Sequence, residues 1–498
     1  MKKKMFVLLL LSLLILIGLF LRLKYWPDFL TFGYEQARDA QLSTIIYSQK
    51  KLTLLGPTTE IEGVFHGPIY YYLIGLIYFL FGKNPSWVAL WHILMNLACI
   101  PIVFWVGKKM FSQRVGLIAA AVFTISYEVI SYSLWLSNPS PGLPFIILTY
   151  FFFYRAFKEN LKFLPLASFL LAISISFDLI IVVNLFGAIA LGLIYNKKRI
   201  NLKTGVASFL AFVIPLINYP LFEIRHGFLM TRKLLSVLGS QDNEFKNVFQ
   251  YFFTFSEGLA KEFANVFFPI HGFFAGLLMI TLFIFLWKNL RQKKLFSNPY
   301  GFILVWLLVN FTTFLISAAV TNSEFSYFGV NAASSLLLAA FLDNLIVKKR
   351  FFWVILISSL VVLGSLRAWQ KFLPNPQRRL FDSQRGVILK DTLATIDYTY
   401  SQSNKKPFFV DTVTVPLYIS PLWDYLYSWY GQKKYGYLPT KETKVSDQFL
   451  IIEPGWGDTY KIFRQRAIDN LNKTTTIDEE KKFGMITVEK RSASSEKK

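Results

Sequence analysis

Glu35, Arg38 and Asp39 lie three and four residues apart in the segment Phe32-Gly33-Tyr34-Glu35-Gln36-Ala37-Arg38-Asp39-Ala40. On a helix that spacing puts all three on one face. A carboxylate placed there can take a proton from a hydroxyl. A guanidinium beside it can orient the carboxylate or grip a phosphate through two parallel hydrogen bonds. The plainer alternative is a surface helix with a local ion pair. Further on, His66 stands in Val64-Phe65-His66-Gly67-Pro68-Ile69-Tyr70-Tyr71-Tyr72. Its imidazole could meet a phosphate or an acceptor, and a lone histidine is otherwise structural. Tyr70 is a substrate-binding candidate, although tyrosines here also suit an aromatic belt at a membrane interface. More distant candidates are Asn138 in Leu136-Ser137-Asn138-Pro139, Arg225 and His226 in Phe222-Glu223-Ile224-Arg225-His226-Gly227, and Glu324 and Tyr327 in Ser323-Glu324-Phe325-Ser326-Tyr327. Lys50 and Lys51 add two cations, equally readable as a solvated turn.

The elements that must position these groups follow from composition. The 498 residues are 54% hydrophobic and only 17% charged, where a soluble chain carries about 25% charge. The apolar residues come in long blocks, which makes lipid the solvent. The net charge of +23 sits in short Lys/Arg clusters between those blocks. That is the pattern of cytoplasmic loops facing anionic lipid rather than of a nucleic-acid surface. The single Cys99 lies inside an apolar block and excludes a disulfide framework or a Cys-based zinc site. The first apolar run, Met5–Leu21, is long for a signal peptide and lacks a small-residue cleavage site, so it reads as an uncleaved first span.

Further apolar windows run at 86–107, 115–136, 142–154, 163–177, 179–195, 204–222, 266–287, 300–320, 330–347 and 351–366. Most approach the ~20 residues that cross a bilayer. Ile69–Phe81 is shorter, and whether it spans decides the topology. If it lies on the outer surface, seventeen cations share one side: Lys108, Lys109, Arg114, Arg155, Lys158, Lys162, Lys197, Lys198, Arg199, Lys203, Lys288, Arg291, Lys293, Lys294, Lys348, Lys349 and Arg350. Five face them from the later outer loops: Arg225, Arg232, Lys233, Lys246 and Lys261. The positive-inside rule puts the larger set in the cytoplasm, with Lys2 to Lys4. The expectation is an all-α polytopic membrane protein of about eleven transmembrane helices (residues 1–366) with a small extracytoplasmic α/β domain at 367–498. In that domain Phe408–Thr412, Gln448–Glu453 and Gly484–Glu489 read as strands and Gly386–Tyr400 as a helix. Asp178, between two short windows, reads as a turn residue.

The order of these motifs resembles a known family. The acidic-x-x-Arg of the first outer loop is followed by His66-Gly67-Pro68-Ile69-Tyr70-Tyr71-Tyr72, then Phe81-Gly82-x-Asn84-Pro85, then Gly107-Lys108-Lys109-Met110-Phe111. Together they look like the type C glycosyltransferases, most closely family 39, the protein O-mannosyltransferase and lipid A aminoarabinose transferase group. The resemblance implies many transmembrane helices with an active site at the outer face. It also implies a sugar donor on polyprenyl phosphate and a base in the first outer loop. The family's residue there is Asp; this chain has Glu35, whose extra methylene makes Asp39 a second candidate. A second acid that the family often carries falls on Asn138, which can bind a hydroxyl or a metal but cannot act as a base.

The reading is therefore an integral membrane hexosyl- or pentosyltransferase with a polyprenyl-phosphate sugar donor and a protein, lipid or glycan acceptor. It needs the bilayer and no nucleic acid; the sequence marks no definite cofactor, and a divalent metal stays an open option. Glu35 and Asp39 are the catalytic candidates, and Arg38 and Arg225 are expected to converge on one cavity. A transporter or flippase of lipid-linked saccharide is the alternative, although such proteins carry charges or broken helices at mid-membrane. A third reading is a non-catalytic scaffold. We predict that a reporter active only in the cytoplasm, fused after Leu366, stays silent. Activity at that fusion would reverse the charge count.

Overall fold

The computed structural model describes residues 2–195, 200–239, 266–268, 272–292, 299–320, 329–371, 373–375, 386–416, 419–442, 445, 447–455 and 457–493. In chain order the helices begin α1 (Lys2–Leu23), α2 (Tyr34–Ser48), α3 (Ile69–Phe81), α4 (Pro85–Met110), α5 (Gln113–Ile125) and α6 (Tyr127–Ser133). They continue α7 (Leu143–Lys158), α8 (Leu164–Phe177), α9 (Asn184–Tyr195), α10 (Leu202–Val213), α11 (Asn218–Arg225) and α12 (Leu229–Gly239). Four long helices follow at Gly272–Gln292, Pro299–Val320, Val330–Val347 and Phe351–Lys371.

Among the described residues, five helices are long and apolar enough to cross a bilayer: α1, α4, and those at 272–291, 330–347 and 351–371. The number is seven if α5 with α6, bent by 60°, and α10 with α11, bent by 59°, each make one crossing. Several remaining apolar windows form helices under 18 residues, because Pro, Ser or Asp interrupts the ladder. The apolar packing is tight where small residues meet. A Cβ on Gly107 of α4 would come within 2.8 Å of the Gly116 Cα in α5, so the two backbones touch at the crossing. Val330–Val347 is buried along most of its length and packs on α5. One of the charges buried among these helices is on α1. Arg22 is fully inaccessible, and its Nε donates to Asn96 Oδ1 of α4 at 2.7 Å and its Nη1 to the Gly18 carbonyl at 3.0 Å.

Near the C-terminus, β1 (Phe408–Val413), β2 (Asp447–Ile452), β3 (Thr475–Phe483) and β4 (Ile486–Ala493) form one sheet in the order β1-β2-β4-β3. β1 and β2 are parallel; the other pairs are antiparallel. Alternation sets two faces. Phe449, Ile451, Ile486 and Val488 join the cluster that includes Leu389 and Ile396 of the helix Leu389–Gln402, while Val413, Leu450 and Ile452 meet Ala467 and Ile468 of the helix Asp458–Leu471. β1, β2 and β4 match the strands read from sequence. β3 and the helix Asp458–Leu471 do not feature there. β3 is exposed along nearly all its length and charged, so it carries no apolar alternation to detect.

The segment between α1 and α2 is clamped between distant parts of the chain. Phe32 donates its amide to the Val387 carbonyl at 3.2 Å, and the Leu389 amide donates to Leu30 at 2.9 Å. Thr31 bridges both Ile388 and Trp135. The helix Pro421–Leu426 lies on α2, where Gln41 Nε2 donates to the Pro421 carbonyl at 3.3 Å. Tyr425 packs on Phe32 and Tyr78, and its hydroxyl donates to the Lys83 carbonyl. One apolar cluster therefore joins α2, α3 and residues 387–488. Asn96→Leu removes the acceptor of a buried guanidinium, and a hydrogen bond to a charged group contributes about 1.5–3 kcal/mol. We predict a clear fall in the thermal midpoint of the purified variant. An unchanged midpoint would show that Arg22 is satisfied without Asn96.

Candidate functional site

The site is built on the first turn of α2. Gly33 caps the helix, and its amide donates to Gln36 Oε1 at 2.9 Å. Gln36 Nε2 in turn donates to the Leu136 carbonyl, just after α6, at 3.2 Å. Gln36, Asp39, Ala40, Ser43 and Ile46 form the buried stripe at helical spacing. Glu35 and Arg38 sit beside that stripe, half-buried.

Arg38 turns to its chain neighbour Asp39, not to Glu35. Its Nε and Nη2 donate to Asp39 Oδ1 at 3.0 and 2.8 Å, and its Nη1 donates to Thr58 Oγ1 at 2.7 Å. Tyr71 also donates to Asp39 Oδ1, at 2.8 Å. Burial works against the Arg38 charge, but Asp39 beside it more than offsets this and holds the guanidinium above its ordinary range. Burial also raises the Asp39 carboxyl, against the pull of Arg38 and Tyr71. Three donors on one oxygen make Asp39 an anchor for Arg38, which counts against it as the base. Glu35, by contrast, makes no hydrogen bond among the described residues. Burial raises its carboxyl above the ordinary value, Arg38 lowers it, and Asp39 and Glu60 raise it further.

Three segments distant in sequence meet beside this helix at the turn that follows α8. His66 Nδ1 accepts the Leu179 amide at 3.0 Å and lies 3.6 Å from Asp178 Oδ1. Asn138 Nδ2 donates to the Phe177 carbonyl at 2.5 Å. Gly67 makes the approach feasible, since a Cβ there would come within 2.8 Å of the Ser176 Cα. Asp178 caps the turn by accepting the Ile180 amide at 3.3 Å. Burial raises its carboxyl to about 7, and the Glu60 charge that acts on Glu35 acts on it too. Asp178, read from the sequence as a turn residue between two short apolar windows, is one; its closeness to His66 had no signal in the sequence.

Other candidates stand apart from Glu35. Tyr70 is 1% exposed, with its hydroxyl 3.5 Å from His92 Nε2, because one residue along a helix is a third of a turn away from Tyr71. Arg225 and His226 are exposed at the end of α11, where His226 stacks on Phe222. Glu223 accepts the Met230 amide at 2.9 Å and the Thr231 amide at 3.1 Å, so this segment caps α12. Phe222 packs on Phe65, next to His66, but among the described residues Arg38 is the only cation whose charge acts on Glu35. The expected convergence of Arg38 and Arg225 on Glu35 is not what the structure shows. Lys50 and Lys51 are exposed, and Lys50 has φ 53°, a turn geometry. Glu324 and Tyr327 lie outside the described residues. Among the described residues no group of three His, Cys, Asp or Glu could hold a metal ion.

The sequence family described as dolichyl-phosphate-mannose-protein mannosyltransferase matches residues 65–220. The fold is similar to that of the crystal structure of ArnT from Cupriavidus metallidurans bound to undecaprenyl phosphate, with 13% identity, a TM-score of 0.56 and 97% of each chain covered. The same protein in the apo state gives 12% identity, a TM-score of 0.58 and 98% of each chain covered. No curated protein sequence matches the chain. The likeness to type C glycosyltransferases read from the motifs is thus borne out, in sequence over 65–220 and in fold over nearly the whole chain. Taken together, these findings support a membrane glycosyltransferase.

The close contact at Gly67 yields a direct test. Overpacking of this kind costs about 1–3 kcal/mol. We predict that Gly67→Ala lowers transfer at least tenfold, while Ser176→Ala, which removes a buried hydroxyl without a partner, leaves it near normal. The double variant stays impaired, because the Ser176 Cα remains in the way. Full activity of Gly67→Ala would show that the loop does not depend on this contact.

Proposed function

We propose that this protein transfers a sugar from a polyprenyl-phosphate donor to an acceptor at the outer membrane face, with Glu35 as general base and Arg38 facing the phosphate. The observation that carries the reading is the division of labour on α2. Asp39 is tied up by Arg38 and Tyr71, while the Glu35 carboxylate is half-buried and has no hydrogen-bond partner among the described residues. Support comes from the mannosyltransferase family likeness at 65–220 and from the fold shared with ArnT, which binds undecaprenyl phosphate.

The acceptor hydroxyl attacks the anomeric carbon as Glu35 takes its proton. The bond from that carbon to the phosphate oxygen breaks, and the polyprenyl phosphate leaves with the electron pair. The two Arg38 N–H groups not bound to Asp39 or Thr58 are free to meet the growing negative charge. Burial in a low-dielectric pocket makes Glu35 a stronger base than a solvated carboxylate. The same proposal includes eleven crossings, a cytoplasmic N-terminus, a hexosyl or pentosyl group, and residues 367–498 as an extracytoplasmic domain.

The test is transfer by the purified protein from a panel of radiolabelled polyprenyl-phosphate sugars into membrane extract. General-base catalysis contributes about 10²–10⁴-fold. Glu35→Gln is expected to lose that much turnover while folding normally. The wild type should gain kcat/KM as pH rises through a midpoint above the ordinary carboxylate value, because only ionised Glu35 can accept the proton and its pKa is raised. Near-normal turnover in Glu35→Gln, with loss in Asp39→Asn, would move the base one helical turn along.

A further inference from the structure

His66 is held from several directions. Its amide donates to the Pro57 carbonyl at 2.9 Å and its own carbonyl accepts the Gly56 amide at 3.0 Å. At the ring, the Leu179 amide points at Nδ1 from 3.0 Å. A backbone amide can only donate, so Nδ1 presents its lone pair and the ring proton resides on Nε2. An imidazolium would set one N–H against another at this contact. Among the described residues Nε2 has no hydrogen-bond partner, and the side chain keeps 13% exposure.

We propose that His66 serves the site as a neutral Nε2–H hydrogen-bond donor to the phosphate of the lipid-linked donor, with its tautomer set by the Leu179 amide. The inference rests on the polyprenyl-phosphate reading above and gives the phosphate a second contact from another loop. The charged groups facing the imidazole are Arg38 of α2 and Asp178 of the turn. Burial first, and the Arg38 charge second, push the His66 pKa down to about 3, so the ring is uncharged at neutral pH. Asp178 does not reverse this, because its Oδ1 already accepts the Ile180 amide and Nδ1 is already occupied.

The ligand class follows from the donors. Arg38 spends three of its five N–H groups on Asp39 and Thr58 and keeps two. Those two and the imidazole N–H offer donors and no acceptor, which suits phosphate oxygens better than a sugar hydroxyl. Neutrality matters as well. A second cation beside Glu35 would pull its carboxyl pKa down and weaken it as a base, whereas a neutral donor binds the phosphate without that penalty.

The experiment measures binding of a polyprenyl methyl phosphate diester, whose single charge is constant over the range used, to the purified full-length protein in nanodiscs. Gln carries an amide N–H near the Nε2 position and Asn only near Nδ1. His66→Gln is expected to weaken binding two- to threefold and His66→Asn more than tenfold. The ratio of Kd between His66→Gln and wild type should stay constant from pH 5.5 to 8, which cancels titration of Glu35 and Asp178. A wild-type advantage that is large at pH 5.5 and gone at pH 8 would mean a cationic ring and overturn the proposal. Equal tolerance of both substitutions would overturn it too. If His66→Asn fails to fold, the pH series alone still decides. A wild type that binds no diester overturns the donor reading and this inference together; binding with the wrong pattern of variants overturns the inference alone.

Discussion

The loops beside α2 are organised by one close contact, the approach of Gly67 to the Ser176–Leu179 turn. No residue with a Cβ fits at Gly67 without moving backbone. Because it fits, the Leu179 amide reaches His66, and the same turn takes the Asn138 amide through the Phe177 carbonyl. Loops that are over 100 residues apart in sequence are thereby pinned to one point beside α2. Hydrogen bonds to backbone groups do the pinning, so it survives without any bound ligand. A site organised in this way loses little conformational entropy when substrate arrives.

The electrostatics of the site follow from who pairs with whom. Asp39 takes Arg38 and leaves Glu35 without a partner. Arg38, paired and hydrogen-bonded, is held in place and need not be ordered by the ligand. Breaking a buried pair by removing one partner costs about 3–5 kcal/mol, so Asp39 fixes the cation even though it does no chemistry in the proposed step. The Glu60 charge acts on both Glu35 and Asp178. Both Glu35 and Asp178 have raised pKa values, with burial as the larger cause in each.

The C-terminal residues matter to the site through the backbone rather than through chemistry. The stretch Leu30–Phe32 is held by residues 387–389, and the helix Pro421–Leu426 rests on α2. The shared apolar cluster makes α2 a buried element, which its weakly amphipathic sequence would not achieve by itself. Its polar residues are tolerated because Gln36, Arg38 and Asp39 all find hydrogen-bond partners.

Much of this architecture is local in origin and was therefore legible. Apolar blocks, their bounding cations and the strands β1, β2 and β4 follow from composition and periodicity, which a sequence displays directly. For the segment of Glu35, Arg38 and Asp39 the sequence offered only the spacing that would put the three on one face if it were helical; α2 is that helix. What the sequence could not express is pairing between residues distant along the chain. Arg38 chose Asp39 over Glu35 because Tyr71 and Thr58 arrive from other segments to complete the set. Arg225 matched the expected chemistry by type, yet α11 faces it outward and uses Glu223 as a cap. Asp178 and the His66 tautomer became visible only when two loops were folded onto each other, since a proton's location depends on the donor that meets it. Types and spacing determined which groups were available; the tertiary contacts decided which of them were left free to act.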